Sequence, residues 1–339
     1  MSATSTVPAS LLRAREFLRP ALHACVDRLA PELRPVIAYH LGFADRDGRP
    51  ASEDGGKAVR PALAFLSAAA VGAAPEVALP GAVAVELVHN FSLLHDDVMD
   101  RDLERRHRPT AWALFGVGQA IVSGDALLVL AHEQLLEPPS WERERASLAL
   151  TRATAQMIAG QAEDLSFESR IDVTIDECLR MCEHKTGALL SFASSVGAIL
   201  AGADEQAVQA LEDFGRHLGL AFQAVDDVLG IWGRPEATGK PVASDLRSHK
   251  KTLPMVAALA EAGSRRERLV GFLSNGHLDE DEVIEAVALV EEAGGRERCM
   301  AEADRQLERA LTSLDRAELD PVARAELADV ARFVTARDF

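Results

Sequence analysis

This sequence of 339 residues lacks the segments that export a protein or hold it in a membrane. No uninterrupted apolar run reaches the roughly 18 residues that a membrane-spanning helix needs. The first residues, Met-Ser-Ala-Thr-Ser-Thr-Val-Pro, lack the basic segment followed by an apolar segment that marks a signal peptide. We therefore expect a cytoplasmic protein with no stable insertion in a membrane.

The sequence is also short of basic residues. Lys and Arg together number 36, against 53 Asp and Glu, which gives a formal net charge of −17 at pH 7. Such a surplus of negative charge argues against nucleic acid or an anionic membrane as a partner. Any site that binds an anionic ligand must therefore gather its cations locally.

Cysteine is scarce, and its four positions are scattered at Cys25, Cys178, Cys182 and Cys299, with no Cys-x-x-Cys pair. Cys178, Cys182 and His184 suggest a zinc site, but structural zinc needs four ligands at tighter spacing. Buried free thiols in a reducing compartment are the better interpretation.

The chain is rich in residues that favour helices and poor in residue patterns that indicate strands. Apolar residues make up 48% of the chain, much of this is Ala and Leu, and only one Tyr is present. No long alternating run of β-branched residues appears, so we expect an all-α fold, a bundle of ten or more helices around a central cavity. Because no repeat or linker divides the chain, residues 1–8 are predicted to be a loose tail and residues 9–339 a single domain.

Apolar spacing together with Gly, Pro and capping residues sets the predicted helix limits. Thr174 and Glu177 have the spacing of a capping box and are expected to start a helix. Residues 42–56 are expected to form a loop, because turn formers dominate them. The predicted helices cover residues 9–30, from about 60 onward, 78–100, 111–134, 142–167, 174 to about 201 and 204–230, with shorter helices from 252 to 339.

An acidic motif after an apolar run carries the first chemical signal. Asp96 and Asp100 are four residues apart, so on a helix they share one face, where two like charges repel. A cation between them is expected, and oxygen-only ligands favour a hard ion such as Mg2+, which is typically held by carboxylates and substrate phosphates. Asp97 lies beside them, and the pair Arg105-Arg106 follows closely, as expected of a diphosphate site.

A second acidic pair, Asp226-Asp227, repeats this pattern about 130 residues downstream. Two such helices facing each other would place carboxylates on both sides of a cavity. With this combination the chain resembles the trans-isoprenyl diphosphate synthases, the head-to-tail prenyltransferases, over roughly residues 55–254. The resemblance implies an isoprenoid synthase bundle, usually a homodimer, that binds three Mg2+ ions together with the substrate diphosphate. The metal ligands it implies are Asp96, Asp97, Asp100, Asp226 and Asp227.

The motif Gly55-Gly56-Lys57-Ala58-Val59-Arg60-Pro61 resembles the family's segment for the isopentenyl diphosphate headgroup. Its two glycines let the backbone approach a ligand, and Lys57 and Arg60 then project beside it. Most family members have a basic residue where Ala58 stands, but the two cations that would make the contacts are present.

Further residues complete this set by resemblance. His89 lies seven residues before Asp96, two helical turns away on the same face, and family members use this position with Arg106 for the isopentenyl diphosphate. Arg105 is assigned to the allylic diphosphate, since a guanidinium fits phosphate oxygens better than an ammonium group does. His107 stands where the family usually has Gly, which leaves the conformation of this turn open.

The resemblance also implies residues for the allylic diphosphate and for the cation formed from it. Lys185 and Thr186 occupy the position where family members hold this diphosphate and stabilise the nascent cation. Gln223 precedes the second acidic pair, and Lys240 and Lys250 match cations of a lid segment that closes over the diphosphate.

Two details bear on the second acidic site. Gln161 and Asp164 match a family segment, Gly-Gln-x-x-Asp, that lies near the metals. Gly230 stands where the fuller motif has its last Asp, and glycine cannot bind a metal, although it suits a helix that ends there. Related synthases tolerate this change.

Together these residues predict a Mg2+-dependent condensation of isopentenyl diphosphate with an allylic diphosphate. Loss of pyrophosphate gives an allylic cation, the isopentenyl double bond attacks it, and a proton leaves to the released pyrophosphate. A class I terpene cyclase on the same fold would have lost the isopentenyl-side cations. A non-catalytic partner subunit would have lost metal carboxylates. The chain keeps both sets of residues, which favours a synthase over these two alternatives.

Product length is predicted from the residues before Asp96. On an ideal helix Ser92 shares the metal-facing side, whereas Phe91 lies about 140° away and roughly 7.5 Å down the axis, where plain core packing is the alternative. By resemblance, an aromatic residue at the fifth position before the motif, a small one at the fourth and no insertion are typical of a geranylgeranyl diphosphate synthase. We predict a mainly C20 product, with Phe91 as the floor and farnesyl diphosphate, C15, as the runner-up.

Overall fold

The computed structural model describes residues 7–51, 56–234, 242–274 and 278–336. These residues are almost entirely α-helical, and the only strands among them form one short hairpin. The predicted all-α fold with ten or more helices is therefore confirmed.

The elements of the first half are α1 (Ala9–Arg28), α2 (Arg34–His40), α3 (Val59–Ala70), α4 (Leu79–Met99), β1 (Glu104–Arg105), β2 (Arg108–Pro109), α5 (Ala111–Phe115), α6 (Val117–Leu136) and α7 (Trp141–Phe167). Those of the second half are α8 (Ile175–Cys182), α9 (Ala188–Leu200), α10 (Glu205–Trp232), α11 (Ser244–Arg247), α12 (Leu253–Glu261), α13 (Arg266–Ser274), α14 (Glu280–Glu292), α15 (Gly295–Ser313) and α16 (Pro321–Thr335). A π-helical segment, Glu183–Gly187, joins α8 to α9.

The chain divides into two compact units. The first unit contains Met1–Arg152, Phe192–Glu212 and Leu314–Val330. The second unit contains Ala153–Ser191, Asp213–Ser313 and Ala331–Phe339. The single domain from residue 9 onward stays a prediction.

In the first unit, α4 packs against α3 and α6 and is buried along most of its length. The stretch Pro75–Met99 is long and apolar enough to cross a membrane, but 67% of that window is buried inside the protein. It is thus a core helix by its contacts. Close packing extends to α9, where the Gly197 N–H donates to Ser67 Oγ at 2.9 Å and a Cβ atom at Gly197 would collide with the Ala64 carbonyl.

In the second unit, α8, α10, α12 and α15 share one apolar core. Cys178, Cys182 and Cys299 are buried in this core as free thiols. Burial raises the pKa of the Cys299 thiol well above its usual value, so it is protonated and inert at neutral pH. These cysteines therefore serve as small apolar side chains.

Local signals set some helix limits, whereas two predicted helices are interrupted. The capping box is present, because the Glu177 N–H donates to Thr174 Oγ1 at 3.2 Å and the Thr174 N–H donates to Glu177 Oε2 at 2.9 Å. The helix predicted over residues 174–201 contains the π-helical segment. The helix predicted over residues 111–134 divides at Gly116, whose φ of +86° turns the chain.

Candidate active site

The first acidic motif lies at the C-terminal end of α4, in the first unit. Asp96 and Asp100 are both half-buried and lie one turn apart, since the Asp100 N–H donates to the Asp96 carbonyl at 2.8 Å. Asp97 is 1% exposed, and its Oδ1 accepts a hydrogen bond from Arg105 Nε at 2.7 Å. Burial raises the pKa of Asp97 to about 6, against the opposing effect of Arg105. The three carboxylates are adjacent but not equivalent.

The paired arginines are carried by the hairpin of β1 and β2. Arg106 and His107 form its two-residue turn, with φ of +52° and +61°. Two successive left-handed residues suit a tight hairpin, and His107 adopts this conformation although it is not a glycine. Tyr39 Oη donates to the Pro109 carbonyl at 2.8 Å, which fixes the hairpin to the end of α2.

The basic motif and the hairpin meet at a glycine. Gly56 has φ of +113°, and a Cβ atom there would lie 2.9 Å from Nη2 of Arg106. Lys57 follows and is exposed, and Arg60 lies in the first turn of α3, close enough to Arg106 for their charges to interact. The structure therefore brings Arg60 and Arg106 together. Gly55 lies outside the described residues.

A half-buried carboxylate that the sequence analysis missed, Glu86, interacts with these cations. Burial raises its pKa, and the charges of Arg60 and Arg106 oppose that effect. His89 lies one turn later on α4, and burial followed by the charges of Arg60 and Arg106 lowers its pKa well below the usual value, so its ring is neutral at pH 7. The sequence signal for Glu86 was its spacing from His89, because residues three apart on a helix lie on the same face.

The second acidic motif lies near the end of α10, in the second unit. Asp226 is exposed, whereas Asp227 is 4% exposed. Oδ1 of Asp227 accepts from Gln223 Nε2 at 2.8 Å, and its Oδ2 accepts from the Leu253 N–H at 2.9 Å. Burial raises the pKa of Asp227 to about 7, against these two hydrogen bonds. Thr186 Oγ1 donates to Gln223 Oε1 at 2.7 Å, so three predicted site residues form one hydrogen-bonded chain.

The π-helical segment that carries Lys185 is held between two helices. A Cβ atom at Gly160 of α7 would collide with the Lys185 backbone, and one at Gly219 of α10 would lie 2.5 Å from the Gly187 Cα. Lys185 Nζ donates to Asp164 Oδ2 at 2.6 Å. Lys185 and Asp164, which the sequence analysis assigned to different roles, are therefore in direct contact.

Another acid occupies the space beside Gly230. A Cβ atom at Gly230 would collide with the carboxylate of Asp245 in α11. The Asp245 carbonyl also accepts the N–H of Lys250 at 2.9 Å, so Lys250 lies in the turn that follows α11. Lys240, the other predicted lid cation, lies outside the described residues.

Comparison with known proteins identifies the family. Residues 49–290 match the family model described as polyprenyl synthetase. The chain belongs to the polyprenyl synthetase family. It is 51% identical to the (2E,6E)-farnesyl diphosphate synthase of Mycobacterium tuberculosis over 328 residues, 96% of this chain and 91% of that one. It is 42% identical to the geranylgeranyl diphosphate synthase of the same organism over 315 residues, 92% of this chain and 90% of that one.

Solved structures agree with this membership. The polyprenyl synthetase from Streptomyces coelicolor A3(2) superposes with a TM-score of 0.92 at 54% identity, covering 97% of this chain and 99% of that one. The geranylgeranyl pyrophosphate synthetase from Pyrococcus horikoshii Ot3 gives a TM-score of 0.87 at 34% identity, with the same coverage of both chains. The protein is a short-chain trans-prenyltransferase, the enzyme class predicted from its motifs.

The acidic residues of this polyprenyl synthetase fit a hard divalent cation. Asp96 and Asp100 in the first unit, and Asp226 in the second, offer only oxygen donors, and each is at least partly exposed. Within the described ranges, no three His, Cys, Asp or Glu side chains form a ready metal cage. Mg2+ usually takes one or two carboxylates together with substrate phosphates, so these donors suit a metal that binds with a diphosphate.

The residues predicted to set product length lie on α4. Phe91 is 7% exposed, and its ring packs edge-on against His95 with ring centroids 4.8 Å apart. Ser92 is half-buried, and its Oγ donates to the His89 carbonyl at 2.8 Å. The Ser92 hydroxyl is therefore satisfied within its own helix.

Proposed function

We propose that this enzyme condenses isopentenyl diphosphate with allylic diphosphates and makes mainly geranylgeranyl diphosphate. One observation carries the proposal: Arg60, Arg106 and His89 lie together around the half-buried Glu86, in the unit that also holds the first acidic motif. A class I terpene cyclase binds one diphosphate and has no need of this second set of cations. A non-catalytic subunit has no need of the metal carboxylates.

The metal ligands we propose are the more exposed acids, Asp96, Asp100 and Asp226, which would hold three Mg2+ ions together with the allylic diphosphate. These ions supply positive charge to the departing pyrophosphate. Asp97 and Asp227 belong to the same predicted set, but each is buried and hydrogen-bonded within the protein. We assign them to the support of the metal site, behind the exposed member of each pair.

The protein's own groups bind the substrates, orient them and keep water away. The proposed ligands of isopentenyl diphosphate are Lys57, Arg60, His89 and Arg106. The proposed ligands of the allylic diphosphate are Arg105, Lys185, Gln223, Lys240 and Lys250. The allylic C1–O bond breaks, the isopentenyl double bond attacks C1 to form the new C–C bond, and the released pyrophosphate takes the proton that leaves. Lys185, Thr186 and Gln223 stabilise the cation between these events.

The C20 product is proposed because Ser92 leaves room beside the metal-binding face of α4, and because an aromatic residue at position 91 followed by a small one resembles the geranylgeranyl diphosphate synthases. Farnesyl diphosphate, C15, is the second candidate. It is favoured by the 51% identity to a farnesyl diphosphate synthase, against 42% to a geranylgeranyl diphosphate synthase.

We also propose that the enzyme is a cytoplasmic homodimer. Five large apolar side chains on α6 are 39–62% exposed, namely Val117, Ile121, Val122, Val129 and Leu136. An apolar row on a helix surface is typical of an interaction site, and a second copy of the chain is the partner that the family resemblance implies. Buried free thiols are in keeping with a reducing compartment.

The test is incubation of the pure protein with Mg2+, isopentenyl diphosphate and each allylic primer, followed by chromatography of the dephosphorylated products. We expect mainly the C20 alcohol, and no product when a chelator removes the metal. Accumulation at C15 would indicate the second candidate. A product formed from the allylic substrate alone would indicate a cyclase, and the absence of any product would indicate a non-catalytic subunit.

A further inference from the structure

A second histidine lies with the cations of the isopentenyl side. His40 is the last residue of α2, and the charges of Arg105, Arg106 and Arg108 act on its ring. The end of α2 is anchored on the hairpin that carries these arginines, since the Arg108 guanidinium lies 4.2 Å above the Tyr39 ring. His40 therefore has a fixed place beside the arginine pair.

The two ring nitrogens of His40 have different surroundings. The Asn90 side chain is hydrogen-bonded to the ring. The Asn90 amide nitrogen already donates to the Glu86 carbonyl at 2.8 Å and to Glu86 Oε1 at 3.1 Å, so its oxygen is left to accept a ring N–H. His40 Nε2 is buried and has no hydrogen-bond partner among the described residues. Asn90 is therefore assigned to Nδ1, and Nε2 is the ring nitrogen left for a ligand.

A buried nitrogen without a partner is unusual in a folded protein. Arg60 Nε, in the same cluster, is also buried without a hydrogen-bond partner in the part of the chain that the structure describes. Positive charge is in excess around these two nitrogens, because the described carboxylates beside the arginines are the half-buried Glu86 and Asp97, which is paired with Arg105. Such a combination is suited to an anion with several oxygen acceptors.

We propose that His40 is a further ligand of the isopentenyl diphosphate headgroup, and that it binds as an imidazolium whose Nε2–H donates to a phosphate oxygen. This inference rests on the proposed function and adds to it a residue from α2, a helix without any of the motifs.

Binding in this form takes up one proton. In the free protein His40 is neutral at pH 7, because burial and then the charges of Arg105 and Arg106 lower its pKa to about 3. The charged and polar groups around the ring are Arg105, Arg106 and Arg108 of the hairpin and His89 and Asn90 of α4. Glu86 acts on it through its hydrogen bond with Asn90. A diphosphate placed among the arginines offsets their field, so Nε2 takes a proton from the solvent and no other bond changes.

Two substitutions separate the two nitrogens. His40→Asn keeps a donor at the Nδ1 position for Asn90, whereas His40→Gln keeps a donor near the Nε2 position. If Nε2 binds the diphosphate, His40→Asn should weaken isopentenyl diphosphate binding about tenfold, and His40→Gln less. If His40 only supports Asn90, His40→Gln should instead weaken isopentenyl diphosphate binding more than His40→Asn does. His132→Gln is the matched control, because His132 is another half-buried histidine of the same unit and contacts Ser147 on α7 instead.

The measurement is calorimetric titration of isopentenyl diphosphate into the full-length, Mg2+-loaded protein, in two buffers of different ionisation enthalpy. Wild type and His132→Gln should take up about one proton more per bound headgroup than either His40 variant. The KM for isopentenyl diphosphate should rise in His40→Asn, while the allylic KM changes less than about twofold. Equal proton uptake in wild type and both His40 variants, or weaker binding by His40→Gln than by His40→Asn, would overturn the role of His40 and leave the proposed function intact. Failure of the wild-type protein to bind isopentenyl diphosphate would overturn both.

Discussion

Replacement of Gly56 by alanine should displace Arg106 from the isopentenyl side. The new Cβ atom would lie 2.9 Å from Nη2 and 3.2 Å from Cζ of Arg106. Because a guanidinium is the far end of a flexible side chain, we expect it to move while the backbone stays. The loss of one hydrogen bond from a charged donor to phosphate is worth about 1.5–3 kcal/mol. The KM for isopentenyl diphosphate should therefore rise about 10- to 100-fold, with little change for the allylic substrate.

The same substitution also strains the backbone, and this effect needs its own control. Gly56 has φ of +113°, where an alanine costs about 1–3 kcal/mol of stability. Gly72 has φ of +76°, and no described atom lies within 4 Å of a Cβ atom placed there. Gly72→Ala should therefore lower Tm while both KM values stay unchanged.

Initial rates with each substrate varied in turn, together with thermal unfolding, separate the two effects. In an Arg106→Ala background, Gly56→Ala should change the isopentenyl KM little further, because the group that it displaces is already gone. If Gly56→Ala left this KM unchanged, or if Gly72→Ala raised it equally, the contact between Gly56 and Arg106 would have no part in substrate binding.

Three further predictions concern the metal, acid stability and product length. Asp96→Ala and Asp226→Ala should each lower kcat by about three orders of magnitude while Tm and circular dichroism are retained, and normal turnover in either would contradict the metal assignment. The pKa of His40 is about 3 in the folded protein and near 6.5 in the unfolded chain, so below pH 6.5 only the unfolded chain takes up this proton, and stability falls by about 2 kcal/mol at pH 5. In His40→Gln, the free energy of unfolding in urea should fall less between pH 7 and pH 5 than in wild type. An equal fall in both proteins would mean that another group titrates. Ser92→Phe should shift the product toward C15 and Phe91→Ala toward chains beyond C20, as measured by chromatography of the alcohols; an unchanged distribution in Phe91→Ala would mean that the floor lies elsewhere.

The acidic pairs show how far residue spacing predicts a site. Spacing places Asp96 and Asp97 side by side at the end of a helix, and the structure agrees. It treats the two carboxylates alike, however, whereas Asp97 is buried against Arg105 and Asp96 is half-exposed. This difference depends on which face of α4 the neighbouring helices cover and on where a hairpin returns the chain. Both are properties of tertiary packing that local spacing does not contain.

Helix limits also show that local sequence predicts local contacts but not contacts with distant residues. Thr174 and Glu177 satisfy each other's backbone within one turn, so the sequence predicts this helix start correctly. The π-helical segment that follows depends on close contacts with Gly160 and Gly219 on two other helices, and no local pattern announces it. No sequence pattern predicts a role for His40 either, because its neighbours come from α4 and from a hairpin more than 60 residues away.

The carboxylate of Asp245 and the missing side chain of Gly230 compete for one volume. Any side chain at position 230 would collide with that carboxylate, so one of the two groups has to move. Substitutions at Gly230 and Asp245 should therefore have non-additive effects, and Asp245→Ala should make room for a side chain at position 230.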